Sequence, residues 1–247
     1  MQITVISDVH GNCVALEAVL ADLQRHPADY IVCLGDAIQG GPQPAQVVTR
    51  LRQLACPVVL GNADAWLLTG VETGQEKIPP KRYRRMQAVR EWSLSCLSPE
   101  DQNFIASFQP TVEVPLTTSR SLLCFHGSPT SFDAVILPDT PEDEFQRLLG
   151  AYATQVLTGG HTHIQHLRRL GNSFYFNPGS VGFAYSHTQA EDTFRADPWA
   201  EYAVLSVEGE RASLEFRRVP FKAADLIQTY RDGGRPFAEE AIEQYMT

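Results

Sequence analysis

The sequence predicts an α/β fold, a sheet fed by helical crossovers. Three observations carry this. The first 60 residues alternate short apolar, β-branched runs with amphipathic helical stretches. Each early strand runs into a loop of glycine with Asp, Asn or His. No repeat, linker or low-complexity stretch breaks the 247 residues, so a single domain over 1–247 is expected, with a helical insertion at about 63–110. At 43% hydrophobic residues the chain is too apolar for disorder. A compact chain of this length buries roughly three quarters of its unfolded surface.

Gln2–Ser7 is a short β-branched run and reads as the first strand. Asn12 is an N-cap residue, and Val14, Leu16, Val19, Leu20 and Leu23 follow at near-helical spacing up to about His26. Tyr30–Leu34 reads as a second buried strand. Gly40-Gly41-Pro42 is expected to open a second helix carrying Val47, Val48, Leu51 and Leu54, and Pro57–Leu60 to form a third strand. This β-α-β-α-β order predicts a largely parallel sheet. Residues 63–110 read mostly helical, with Ser98-Pro99-Glu100-Asp101 as a helix start. Strands return at 111–117 and 121–125, a helix starts at Thr140-Pro141-Glu142, and 155–158 is a strand. His166–Leu170 and Ser173–Phe176 flank Gly171-Asn172 as a hairpin, and a second hairpin runs from about Tyr202 to Val219. The tail, 222–245, is helical with a break at Gly233-Gly234.

Charge narrows the function. A formal net charge of −9 argues against a surface built for long nucleic acid or an anionic membrane. A small phosphorylated substrate remains compatible, because a local site can invert the local field. Cys13, Cys33, Cys56, Cys96 and Cys124 are odd in number and widely spaced, with no C-x-x-C, which fits a reducing compartment. Met1–Asp8 has no basic n-region, and no run approaches the ~20 apolar residues of a membrane span. A soluble cytoplasmic protein is expected.

The loops after the strands hold the chemistry. In chain order they read Asp8-Val9-His10-Gly11, Gly35-Asp36, Gly61-Asn62, His126-Gly127 and Gly160-His161-Thr162-His163. Singly, such dipeptides are turns or structural histidines. Together they supply two carboxylates, one amide and four imidazoles at the strand ends, where α/β sheets bind ligands. In an extended segment His161 and His163 would point the same way.

That ordered set closely resembles the calcineurin-like metallophosphoesterases, from residue 3 to about 220. His126-Gly127-Ser128-Pro129 and Asn177-Pro178-Gly179-Ser180-Val181-Gly182 resemble the small, single-domain prokaryotic branch. The resemblance implies a four-layer α-β-β-α sandwich of two mixed β-sheets. It implies one metal on Asp8, His10 and His163, and a second on Asn62, His126 and His161. Asp36 would bridge the two, and Asp36, Asn62 and His126 are the expected catalytic residues. A mixed oxygen and nitrogen set suits two divalent transition ions; the family leans towards Mn²⁺, then Zn²⁺, with Fe and Ni²⁺ open.

Two divalent ions outweigh two aspartates and a bridging hydroxide, so the centre attracts phosphate. They also create hydroxide near neutral pH for in-line attack. A binuclear phosphoesterase acting on a small phosphate ester, a diester or nucleotide, follows as the expectation. A phosphomonoesterase or phosphoprotein phosphatase, and a non-catalytic scaffold, stay open as alternatives. Much of the wider family has a histidine after the Gly-Asn pair; here Ala63 stands there. Alanine transfers no proton, so a good leaving group or another acid is required.

Secondary features are weighed separately. Lys77, Lys81, Arg82, Arg84, Arg85 and Arg90 form a basic stretch, a solvated helix face or a substrate rim. Phe183, Tyr185, His187, Arg195 and Trp199 follow the Asn-Pro-Gly-Ser turn, as a packed loop or a surface for a nucleobase. His26 and His166 read as surface residues, Cys33 and Cys124 as buried hydrophobes. Asp64 and Asn177 read as supports of the metal loops.

Overall fold

A computed structural model describes residues 1–71, 78–153, 155–190 and 193–246. The strands are β1 (Gln2–Ile6), β2 (Tyr30–Cys33), β3 (Val112–Pro115), β4 (Ser121–Cys124), β5 (Val156–Thr158), β6 (His166–Leu170), β7 (Ser173–Asn177), β8 (Trp199–Glu208) and β9 (Arg211–Pro220). The helices are α1 (Cys13–Arg25), α2 (Pro44–Leu54), α3 (Asn62–Thr69), α4 (Pro80–Ser95), α5 (Pro99–Ala106), α6 (Glu142–Leu149), α7 (Ala223–Asp232) and α8 (Ala238–Glu243). Two mixed sheets run in the orders β2-β1-β8-β9 and β3-β4-β5-β7-β6.

The alternation of side chains along strands turns these sheets into four layers. Ile3 and Val5 of β1 and Ala203, Leu205 and Val207 of β8 meet Leu122, Cys124, Val156 and Phe176 of the second sheet. The other face of the first sheet packs on α1, α2, α7 and α8 through Ile6, Tyr202, Val204, Leu16, Val48, Leu226 and Ile242. Beyond the second sheet, Leu123, Leu157 and Tyr175 pack on Phe145 and Leu149 of α6. Three apolar interfaces thus bind helix, sheet, sheet and helix. The fold is the four-layer α-β-β-α sandwich.

Local signals place several elements. Asn12 caps α1, its Oδ1 accepting from Ala15 N at 3.0 Å. Ser98 and Asp101 form a reciprocal capping box at α5. Both hairpins stand, β6–β7 and β8–β9.

Four expectations are corrected. The first sheet is parallel only between β1 and β2; β8 returns about 200 residues later to pair antiparallel with β1. Pro57–Leu60 is not a full strand. It makes single bridges, Cys33 with Val58 and Val59 with Gln109, because Pro57 has no N–H and the segment turns at once towards Gly61. The second helix begins at Pro44, since Gly40-Gly41-Pro42 instead wraps the first loop, with Gly41 N donating to His10 O at 2.6 Å. His166 is buried, its ring 5.5 Å from Tyr175, because its strand position faces that residue.

Trp92 is half-buried and Leu97 buried. Within the basic stretch, Arg85 pairs with Glu240 at 3.0 Å, and Arg90 Nε donates to the carbonyls of Trp66 and Leu67 at the end of α3. Lys81, Arg82 and Arg84 are exposed, and Lys77 lies outside the described residues. No helix among the described residues is long and apolar enough to cross a membrane.

Candidate metal centre

All seven metal-ligand positions read from the sequence meet at one end of the two sheets. Asp8 and His10 follow β1, Asp36 follows β2, Asn62 opens α3, His126 follows β4, and His161 and His163 follow β5. Two groups form. Asp8, His10 and His163 offer ligand atoms within 4.8 Å of one another, and so do Asp36, His126 and His161. Asp36 Oδ2 stands between them, 3.4 Å from His126 Nε2 and 4.0 Å from His10 Nε2. Asn62 Oδ1 lies 3.0 Å from His126 Nε2.

The backbone is bent to make this possible. Asp8, His10, Asp36, His161 and His163 all have positive φ, between 47° and 68°. His161-Thr162-His163 is therefore not extended, and its two imidazoles go to different groups. Two glycines allow the close approaches. A Cβ on Gly61 would overlap the Asp36 carboxylate, and one on Gly160 would overlap Ser7 Oγ.

Surrounding groups aim the ligands. His10 Nδ1 donates to Gln39 O at 2.9 Å, His126 Nδ1 to Leu34 O at 2.8 Å, and His163 Nδ1 to Phe183 O at 2.8 Å. A carbonyl only accepts, so each bond fixes the tautomer and turns Nε2 inward. Sequence reasoning missed these three partners, because a backbone carbonyl leaves no mark on residue identity. Asp36 Oδ1 accepts from Ala63 N at 2.7 Å, at the N-terminus of α3, where the helix favours a carboxylate. Asp64 is fully buried and accepts from Ala37 N and Ile38 N, fixing the loop beyond Asp36. Asn177 Nδ2 donates to Gly160 O at 2.6 Å, and Ser180 Oγ donates to Asp8 O at 2.8 Å.

The arrangement calls for cations. The Nε2 atoms of His10 and His163 face each other at 3.1 Å. With both Nδ1 atoms donating outward, two lone pairs would oppose unless a proton or cation stood between. Asp8 Oδ1 is buried and faces the Nε2 of His163 at 3.2 Å. The charges packed around these groups show the same imbalance. Burial works against charge on His126, but Asp36 outweighs it and pushes the imidazole up to about 10. Burial opposes charge on His163 too, and Asp8 outweighs it. Burial, helped by the charge of the neighbouring histidine, holds His10 and His161 below the usual value. Burial opposes ionisation of Asp8 and Asp36, yet His163 and His126 respectively hold them below the carboxylate range. In each group a buried carboxylate pushes one imidazole towards its charged form, a demand that a divalent ion would meet instead. The mixed donor set fits two such ions.

Known proteins share this framework. The metallophosphoesterase from Sphaerobacter thermophilus superposes with a TM-score of 0.71 at 26% identity, covering 99% of this chain and 98% of that one. Phosphodiesterase YfcE from Escherichia coli K12 is 28% identical over 191 residues, 73% of this chain and 79% of its own length. A symmetrical bis(5'-nucleosyl)-tetraphosphatase from Pectobacterium carotovorum is 38% identical over 84 residues, 33% of this chain and 30% of its own. Residues 1–209 match the calcineurin-like phosphoesterase superfamily domain. The chain belongs to the calcineurin-like phosphoesterase superfamily and is a metal-dependent phosphoesterase.

Proposed function

We propose that the protein is a binuclear phosphoesterase hydrolysing a small phosphate ester, a diester or a nucleotide. The observation that carries this reading is the pair of ligand groups joined through Asp36. Asp8, His10 and His163 would hold one ion and Asn62, His126 and His161 the other, with Asp36 shared between them. Two divalent ions, Mn²⁺ first and Zn²⁺ next, would supply hydroxide near neutral pH and a clamp for phosphoryl oxygens. The likeness to a phosphodiesterase and a dinucleotide tetraphosphatase supports a small ester as substrate.

The chain's own residues set the remaining chemistry. Asp36 is held at the start of α3 by Ala63 N, so its second oxygen stays free for the centre. His126 is fixed by Leu34 O and keeps Nε2 against Asp36 and Asn62. Ala63 contributes a backbone N–H and no acid. Esters with good leaving groups, or substrates that carry their own proton donor, are favoured.

Asp36→Asn removes the bridge with little change in shape. Hydrolysis of bis(p-nitrophenyl) phosphate should fall at least ~10²-fold, the scale expected when charge stabilisation of a transition state is lost. Full activity in that variant would overturn the mechanism. Rates on activated mono- and diesters, measured side by side, separate a diesterase from a phosphomonoesterase.

A further inference from the structure

An aromatic stack stands beside the metal centre. Phe183 lies over the ligands, its ring 6.4 Å from His10 and 6.0 Å from His163. One step outward, the Tyr185 ring is 5.8 Å from His163. His187 lies on Tyr185, ring centroids 4.3 Å apart at 28°. Phe194 packs on both, 5.1 Å from Tyr185 and 5.7 Å from Phe183. Tyr185 is half-buried and His187 exposed.

The stack is anchored to the centre. Gly182 N donates to Asp8 O at 3.0 Å, and Phe183 N to Ser180 Oγ at 2.9 Å. Ala184 O accepts from Asp197 N at 2.8 Å. Tyr185, His187 and Phe194 belong to none of the three apolar interfaces that hold the layers together. Tyr185 and Phe194 pack on Phe183, which leaves the exposed His187 ring as the open end of the stack. Rings presented this way, on a fixed backbone and one residue's width from a phosphate-attracting centre, offer a surface for another planar ring.

We propose that Tyr185 and His187 form a subsite for the planar aromatic group of the ester, a nucleobase or an aryl ring, stacked on His187 while the phosphate sits between the ligand groups. The proposal rests on the phosphoesterase reading and adds the substrate's class to it. Stacking of this kind needs no particular hydrogen-bond pattern, so it selects for a flat ring more than for one base.

The test is calorimetric binding to the Mn²⁺-loaded full chain. The probes are non-hydrolysable phosphonate analogues of adenosine monophosphate, phenyl phosphate and ribose 5-phosphate. At least one ring-bearing probe should bind about tenfold tighter than the ribose probe. His187→Ala should bring that ratio towards one, and His187→Phe, which keeps a ring and loses the imidazole nitrogens, should preserve it. Tyr185→Ala should erode the ratio as well. Preference for the adenosine probe alone identifies a nucleobase, and preference for the phenyl probe alone identifies an aryl ester. Equal affinities in the unaltered protein, or a preference that survives both alanine variants, would overturn the subsite. Hydrolysis of bis(p-nitrophenyl) phosphate by the same preparation separates the two failures. Hydrolysis without ring preference sinks only the subsite. Ring preference without hydrolysis supports the subsite and sinks the diesterase reading.

Discussion

Asp8, His10, Asp36, His161 and His163 share a left-handed backbone that side chains avoid. Each such residue stores roughly 1–3 kcal/mol when the surroundings impose it. That concentration at one site marks the loops as shaped for binding rather than for stability. The residue types were legible in the sequence, as was their order. The strain was not, since Asp-x-His and His-x-His read the same in an extended strand as in a bent loop. Asp64 shows what holds the bend. Burial, reinforced by the charge of Asp36, pushes its carboxyl up to about 7, yet it still accepts from two backbone N–H groups. Asp64→Ala should leave both donors buried and unpaired, costing about 2–4 kcal/mol in chemical denaturation. It should also loosen Asp36 and weaken metal binding. Asp64→Asn, which keeps one acceptor, should lose less on both measures.

Elements whose ends carry side-chain signals were legible. The Asn12 cap, the Ser98–Asp101 box and the two hairpins each declare themselves within a few residues. Pairing across the chain was not. The β8 strand alternates as strands do, but nothing local says that it lies antiparallel to β1. Pro57–Leu60 looks like a strand by composition and is deflected by what it must deliver, Gly61 and Asn62 at the mouth of α3. An element end away from the site offers a contrast with the ligand loops. Ala55 closes α2 in the left-handed region at φ 49°, with no ligand role. Ala55→Gly should therefore stabilise the protein by about 1 kcal/mol, seen as a raised melting temperature with unchanged hydrolysis.

At the scale of the whole molecule, the two sheets bring distant loops to one end of an acidic chain. The net charge of −9 belongs to the chain without ions. Stability of the metal-free protein and metal loading should respond to pH in opposite directions. In the metal-free protein His126 is raised from 6.5 to about 10. Its protonation contributes stability that is fully present below pH 6.5 and is lost as pH rises through about 10. Metal binding runs the other way, because the imidazole must give up its proton to become a ligand. The difference in melting temperature between Mn²⁺-loaded and chelator-stripped protein should widen as pH is raised from 6.5. A difference that narrows would place the ions elsewhere.

The central claim is that two ions act as one centre. Chelator-stripped protein should be titrated with Mn²⁺ while hydrolysis of bis(p-nitrophenyl) phosphate is followed. Bound metal should be counted on the same samples. A binuclear centre gives negligible hydrolysis without metal and a plateau at two ions per chain. Full hydrolysis in the stripped protein, or a plateau at one ion, would contradict it.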